Sequence, residues 1–225
     1  MQGSTSSLSS KTSSGVSTTE PQPDAPPTPD ELTKGEKSLT DIILKCRRIP
    51  LPAYHFVVSL IAAAPMVWYA CSAPDTAPLS ELVRSISDMG MNISVTILGF
   101  LIAGFAIFAT VTKPELFVDM AKKRHKKSGL SWLKYNLFGF VRVFFHYLIF
   151  LGLCILVKVF GTRGGPVSLL LAGPKDETER RVIAGIALAL LSGYLVYVLL
   201  LLKTFIYDVY HVTVTNIRFV WDPPQ

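Results

Sequence analysis

Arg142 and His146 lie four residues apart inside an otherwise apolar run, and they are the side chains of this chain with the most capacity for chemistry. On a helix that spacing places both on one face. A guanidinium keeps its charge at physiological pH, whereas an imidazole changes charge near neutrality, so the pair could serve a proton, ion or ligand path. The plainer reading pairs Arg142 with an acid near the same interface, Asp208 or Asp119, and leaves His146 as a hydrogen-bonded core residue. No acid falls inside the apolar runs to complete a relay, which favours the plainer reading.

Other candidates for covalent or metal chemistry fall away. His55, His125, His146 and His211 are scattered without ligand spacing, and Cys46, Cys71 and Cys154 form neither a CxxC pair nor a His/Cys metal pattern. Packing is the expected role of all three cysteines, with Cys46, between Lys45 and Arg47, a conceivable palmitoylation site. There is no HExxH, no glycine-rich phosphate loop and no GxSxG, and Leu190, Leu191, Ser192 and Gly193 do not make the GxSG of rhomboid-like proteases. Asp176, Glu177 and Glu179, beside Lys175, Arg180 and Arg181, read as the solvated start of a helix. The expectation is a protein that is not an enzyme and carries no cofactor or metal.

What positions Arg142 and His146 is a set of four apolar stretches, Ala53 to Ala73, Ile93 to Val111, Leu137 to Phe160 and Val182 to Leu202. Each approaches or exceeds the roughly 20 residues needed to cross a hydrocarbon core about 30 Å thick. The 225 residues are 50% hydrophobic and only 17% charged, with a mean hydropathy of +0.42, which excludes a soluble globular domain and leaves no room for a large domain outside the membrane. The fold class expected is an all-α membrane protein with four transmembrane helices, short interfacial helices and a disordered N-terminal tail. Its divisions are a tail over 1–36, a transmembrane domain over 37–210 and a C-terminal tail over 211–225. The third span tolerates Arg142: its apolar residues contribute roughly 3 to 6 kcal/mol toward insertion, against a cost of at most about 3 kcal/mol.

The net charge of +6 raises the question of a nucleic-acid ligand, but the placement of the basic residues fits orientation better. Lys34, Lys37, Lys45, Arg47 and Arg48 precede the first span, whereas the first connection carries Arg84 alone. Seven Lys and Arg residues mark the second connection, including Lys122, Lys123, Arg124, Lys126 and Lys127; the third holds Arg163, Lys175, Arg180 and Arg181. Both termini are therefore expected in the cytoplasm, in a plasma or bacterial inner membrane. The polybasic segment is expected to contact anionic head groups, at about 1 kcal/mol per cation near the surface, or a cytoplasmic protein partner. Residues 1–36, rich in Ser, Thr and Pro, contain no apolar signal segment and too little to bury for a fold.

Local patterns refine the picture. Leu39, Ile42, Ile43, Cys46 and Ile49 recur at helical spacing before Pro50 and Pro52, predicting an interfacial helix; Leu79, Leu82, Val83, Ile86 and Met89 predict another on the outer face. Thr112 and Pro114 start a third, on the cytoplasmic side, and Trp68, Tyr69, Trp132 and Tyr135 supply interfacial aromatic belts. In the second span, Asn92, Thr96, Gly99, Ala103, Ala106 and Thr110 form a seam of small and polar residues. Such a seam suits close contact with a helix of the same chain or of another copy, and less well a water path, because its middle is Gly and Ala. Gly185, Ala189 and Gly193 make a second small face on the fourth span, predicting contact between spans two and four or self-association. Val212 to Val220 alternates β-branched and aromatic residues and predicts an extended strand. The function expected is an oligomeric membrane scaffold or anchor for a cytoplasmic partner; the alternative is an oligomeric channel or membrane-perturbing effector, with a membrane enzyme ranked last.

Overall fold

The computed structural model describes residues 38–46, 53–111, 113–125, 129–161, 165 and 177–221. Six helices account for nearly all of these: α1 (Leu39–Cys46), α2 (Tyr54–Ser72), α3 (Thr76–Val111), α4 (Pro114–Lys122), α5 (Trp132–Phe160) and α6 (Glu177–Trp221). Four of them, α2, α3, α5 and α6, are long and apolar enough to cross a membrane, as an integral membrane protein requires. The N-terminal tail expected over 1–36 lies outside the described residues.

Helix α6 is the axis of the bundle. It packs on α2, α3 and α5, while α3 also packs on α5, and the short α1 and α4 rest on α5. The core runs along α6 through Leu188, Leu191, Leu195, Tyr197, Val198 and Leu201 and meets Leu98 and Leu101 of α3 and Val143, Tyr147 and Phe150 of α5. The outward faces, with Leu60 and Trp68 on α2, Phe100 and Ile107 on α3 and Leu156 on α5, are large, apolar and exposed, as a lipid environment demands.

The small face of α6 serves a different neighbour from the one expected. Gly185 and Gly193 are buried against α2: a Cβ at Gly185 would stand 2.7 Å from Ala70 Cβ, and one at Gly193 would stand 3.3 Å from both Ala63 Cβ and the Ser59 carbonyl oxygen. The close contact is thus between the first and fourth spans, because Ala63 and Ala70 on α2 are the small residues that meet these glycines. The seam on α3 faces the other way. Asn92, Thr96, Gly99, Ala103, Ala106 and Thr110 are all exposed, and a Cβ at Gly99 would meet nothing within 4 Å. Among the described residues no neighbour covers it; the face of α3 that turns inward carries Ser87, Ser94, Leu98 and Leu101.

Two element boundaries differ from expectation. The separate outer-face helix merges with the second span into α3, 36 residues long and so about 54 Å at 1.5 Å per residue. Gly90 lets the helix pass close to α5, since a Cβ there would lie 2.9 Å from Phe150 Cζ and 3.0 Å from Cys154 Sγ. Ser87 Oγ donates to the Cys154 carbonyl at 2.8 Å, and Leu79, Val83 and Ile86 are buried on the same stripe. The second correction concerns the strand expected between Val212 and Val220, where α6 instead continues as helix to Trp221. Propagating an existing helix adds one hydrogen bond per residue without a new nucleus, and this outweighs weak β-propensity. Thr213 and Thr215 suit the helix by donating to the Val209 and His211 carbonyls at 2.9 and 2.8 Å.

The end of the bundle remote from α4 is tied by charge. Arg84 donates twice to the Gly161 carbonyl beyond the last turn of α5, at 2.7 and 3.1 Å, and Arg181 donates to the Pro74 carbonyl at 2.9 Å. Cations at helix C-termini meet unsatisfied carbonyls and the negative end of the helix dipole. Lys158 pairs with Asp88 at 2.7 Å.

The two glycine environments separate by mutation. Replacing Gly185 or Gly193 with Leu should cost about 1–3 kcal/mol of stability through overpacking, measured by denaturant unfolding in mixed micelles, whereas Gly99→Leu should leave the unfolding midpoint of the single chain unchanged. Equal sensitivity at all three positions would contradict this assignment of faces.

Candidate polar site at the α4 end of the bundle

The approach to the Arg142 helix is built by a tight turn. Trp132 N donates to the Lys123 carbonyl at 2.9 Å and His125 N to the Leu130 carbonyl at 2.7 Å, closing the chain between α4 and α5. Gly129, with φ of 68°, occupies the left-handed conformation that a side chain would disfavour. Ser131 then caps α5, accepting from Lys134 N at 3.2 Å. His125 stacks on Tyr135 with ring centroids 4.3 Å apart and meets Trp132 edge-on at 4.9 Å, so the aromatic pair expected at the interface forms one cluster with a histidine.

Of the polybasic residues, Lys122 and Lys123 are exposed at the end of α4, and Arg124 is half-buried in an isolated bridge to Ser131. Lys126 and Lys127 lie outside the described residues. Lys123 pairs with Asp119 at 2.7 Å across one helical turn. Asp208 of α6 lies within electrostatic range of Arg142.

Arg142 and His146 share one face of α5 and line a common cavity. His146 Nδ1 is 3.1 Å from Tyr194 Oη, and its ring meets Tyr197 edge-on at 5.2 Å. The same Tyr197 ring is approached from α2 by His55, at 6.4 Å. His55 is fully buried, with Nε2 3.2 Å from Thr204 Oγ1. Two histidines on different helices therefore flank one tyrosine of α6. Sequence reasoning singled out only His146. His55 and Thr204 are 149 positions apart, and a tyrosine pair at 194 and 197 in an apolar run gives little reason to expect partners on two helices.

Helix α1 closes the site on the α4 side. Cys46 is 3% exposed and its thiol donates to the Phe138 carbonyl at 3.3 Å, one turn before Arg142. Burial pushes the Cys46 thiol above its ordinary range, opposed in part by the Arg142 guanidinium. A buried thiol held in its neutral form is a poor nucleophile, so the geometry weighs against Cys46 as an acyl acceptor. Among the described residues no group of three or more His, Cys, Asp or Glu side chains is placed to hold a metal ion.

A second concavity, of about 1140 Å³, lies between α4, the first turns of α5 and the far end of α6. Its walls mix aromatic, apolar and charged side chains, among them Leu116, Lys123, Tyr135, Tyr207, Arg218 and Trp221. Ile217, Tyr207 and Trp221 stand out from it at 52%, 64% and 86% exposure. A strand at 212–220 would have destroyed this wall; the continued helix creates it.

Thiol chemistry reads out the packing of α1. In detergent at neutral pH, maleimide should label the exposed Cys71 faster than Cys46 or Cys154 by at least about tenfold, with Cys46 gaining reactivity only as pH rises above the ordinary thiol range. Labelling of Cys46 as fast as that of Cys71 would mean that α1 does not cover α5. No family model, no curated protein and no solved structure matches the chain.

Proposed function

We propose that this chain is a non-enzymatic membrane scaffold, which self-associates within the bilayer and holds a cytoplasmic protein partner in the concavity between α4 and the end of α6. The observation that carries the reading is the continuation of α6 well past the packed bundle. At 45 residues it is about 68 Å long, more than twice the hydrocarbon thickness, and its last turns form one wall of a cavity of about 1140 Å³. A helix so extended exposes aromatic and apolar side chains, Tyr207, Ile217 and Trp221, beside the cations Lys123 and Arg218. That mixture suits a protein surface with apolar anchors, because aromatic residues and arginine dominate the energetics of protein interfaces.

Orientation follows from the distribution of Lys and Arg. The connection holding Lys113, Lys122, Lys123, Arg124, Lys126, Lys127 and Lys134 is retained on the cytoplasmic side. Helix α1 and the C-terminal end of α6 lie at the same end of the bundle as α4, which supports a cytoplasmic position for both helix ends. Arg84 and Arg181 are engaged at helix C-termini on the opposite face, which accounts for cations there without reversing the topology. Self-association rests on the α3 seam, whose Thr96 and Thr110 hydroxyls are satisfied by carbonyls of their own helix, leaving a shallow surface on which a second backbone can approach.

Photocrosslinking in cells tests the scaffold. A benzophenone amino acid at Tyr207 or Ile217 should give one discrete protein adduct, absent with the probe at lipid-facing Val95 and lost when Lys123→Glu and Arg218→Glu are combined. Adducts that are absent, or equally strong from Val95, would overturn the docking surface. In nanodiscs, Gly99→Leu with Ala103→Leu should lower the number of copies per particle; an unchanged number would remove the seam from the account. Ion flux through liposomes well above that of protein-free vesicles would replace the scaffold with the channel reading.

A further inference from the structure

We propose that the cavity between α1, α2, α5 and α6 binds one anionic phospholipid, its phosphate at Arg142 and an acyl chain along the lipid-facing wall of α2. The cavity has a volume of about 820 Å³, within the range of roughly 300–1,000 Å³ typical of small-ligand sites. Its lining divides by chemistry. Arg142 and His146 of α5, with Tyr197 of α6, make a polar side, while Phe56 and Leu60 of α2, with Leu190 of α6, make an apolar one. Phe56, Leu60 and Leu190 are 58%, 74% and 67% exposed, so in a bilayer the apolar side opens directly onto neighbouring acyl chains.

Depth and charge select the occupant. Cys46 of the interfacial helix α1 contacts Phe138, and Arg142 stands four residues further along α5, about 6 Å deeper into the membrane. That is the level at which a phosphate drawn slightly below its neighbours meets a guanidinium extended toward the interface. No carboxylate lines the cavity among the described residues; Asp208, the acid coupled to Arg142, lines the two neighbouring concavities instead. The planar guanidinium matches phosphate oxygens with two parallel donors. Ser59 of α2 stands on the same wall, between Phe56 and Leu60. A zwitterionic lipid carries its own cation beside the phosphate and so gains less from Arg142.

Native mass spectrometry of the full-length chain, exchanged into detergent containing equal phosphatidylglycerol and phosphatidylcholine of identical chains, reads the site directly. One retained phosphatidylglycerol per chain is expected, preferred by about fivefold, the factor that corresponds to ~1 kcal/mol per cation. Arg142→Gln should abolish the preference, and Leu60→Trp, a change at an exposed position that fills the apolar side, should release the lipid. Lys122→Gln with Lys123→Gln should leave retention unchanged. Equal retention of both lipids, survival of the preference in Arg142→Gln, or its loss in the lysine pair alone would overturn the proposal. Displacement of the lipid by millimolar inorganic phosphate would also overturn it, marking a site for free anions. If Arg142→Gln does not fold, Leu60→Trp decides the matter: a lipid still retained is a contradiction.

Discussion

Helices dissolved in lipid gain little from hiding apolar surface on one another, so this bundle depends on how closely α6 can approach its neighbours. Gly185 and Gly193 set that distance. With Ala70 and Ala63 opposite them, the backbones of α2 and α6 come near enough that an added Cβ has no room at one position and little at the other. Gly90 does the same for α3 beneath Phe150. Dispersion between closely fitted surfaces then supplies much of what water would supply in a soluble core. The polar contacts at the ends, Asp88 with Lys158 and Arg84 with the Gly161 carbonyl, fix register without needing to carry the bundle.

The two ends of the molecule are consequently unlike. At one, cations cap helix termini and α3 and α5 are stitched together. At the other, α6 outruns its neighbours, α4 turns back through Gly129 into α5, and α1 covers the start of α5. Both large concavities lie toward this second end, one opening beyond the bundle and one opening sideways between α2 and α6. The polar residues inside the bundle gather here too: His55, Arg142, His146 and Thr204 converge from three helices around Tyr194 and Tyr197. Grouping them gives His55 and His146 each a hydroxyl partner, Thr204 and Tyr194, in a medium that offers none.

Much of the architecture was legible in the chain because membrane solvation writes a strong one-dimensional signal. Four long apolar runs and the helical stripe of Leu39 to Cys46 could each be read from local pattern. What resisted was anything set by pairing. The small residues at 185 and 193 announced a close contact but not its partner, since α2 and α3 both offer small side chains. The seam from Asn92 to Thr110 promised a packed face yet is exposed on the single chain. The strand expected at Val212 to Val220 failed because local β-propensity is weaker than the continuation of a helix already formed upstream. His55 was overlooked for the same reason as the α2–α6 contact: its partner is 149 residues away.

Direct proximity of α2 and α6 is the contact from which the rest follows, and an engineered disulfide measures it. In a background with Cys46, Cys71 and Cys154 replaced by Ser, the pair Ala63→Cys and Gly193→Cys brings two Cβ positions to 3.3 Å, within a few tenths of an ångström of the usual disulfide range. Mild oxidation of intact membranes should close this bridge within one chain, while Gly99→Cys paired with Gly193→Cys forms no bridge within one chain. Failure of the first pair to close, or closure of the second within one chain, would contradict the arrangement of helices described above.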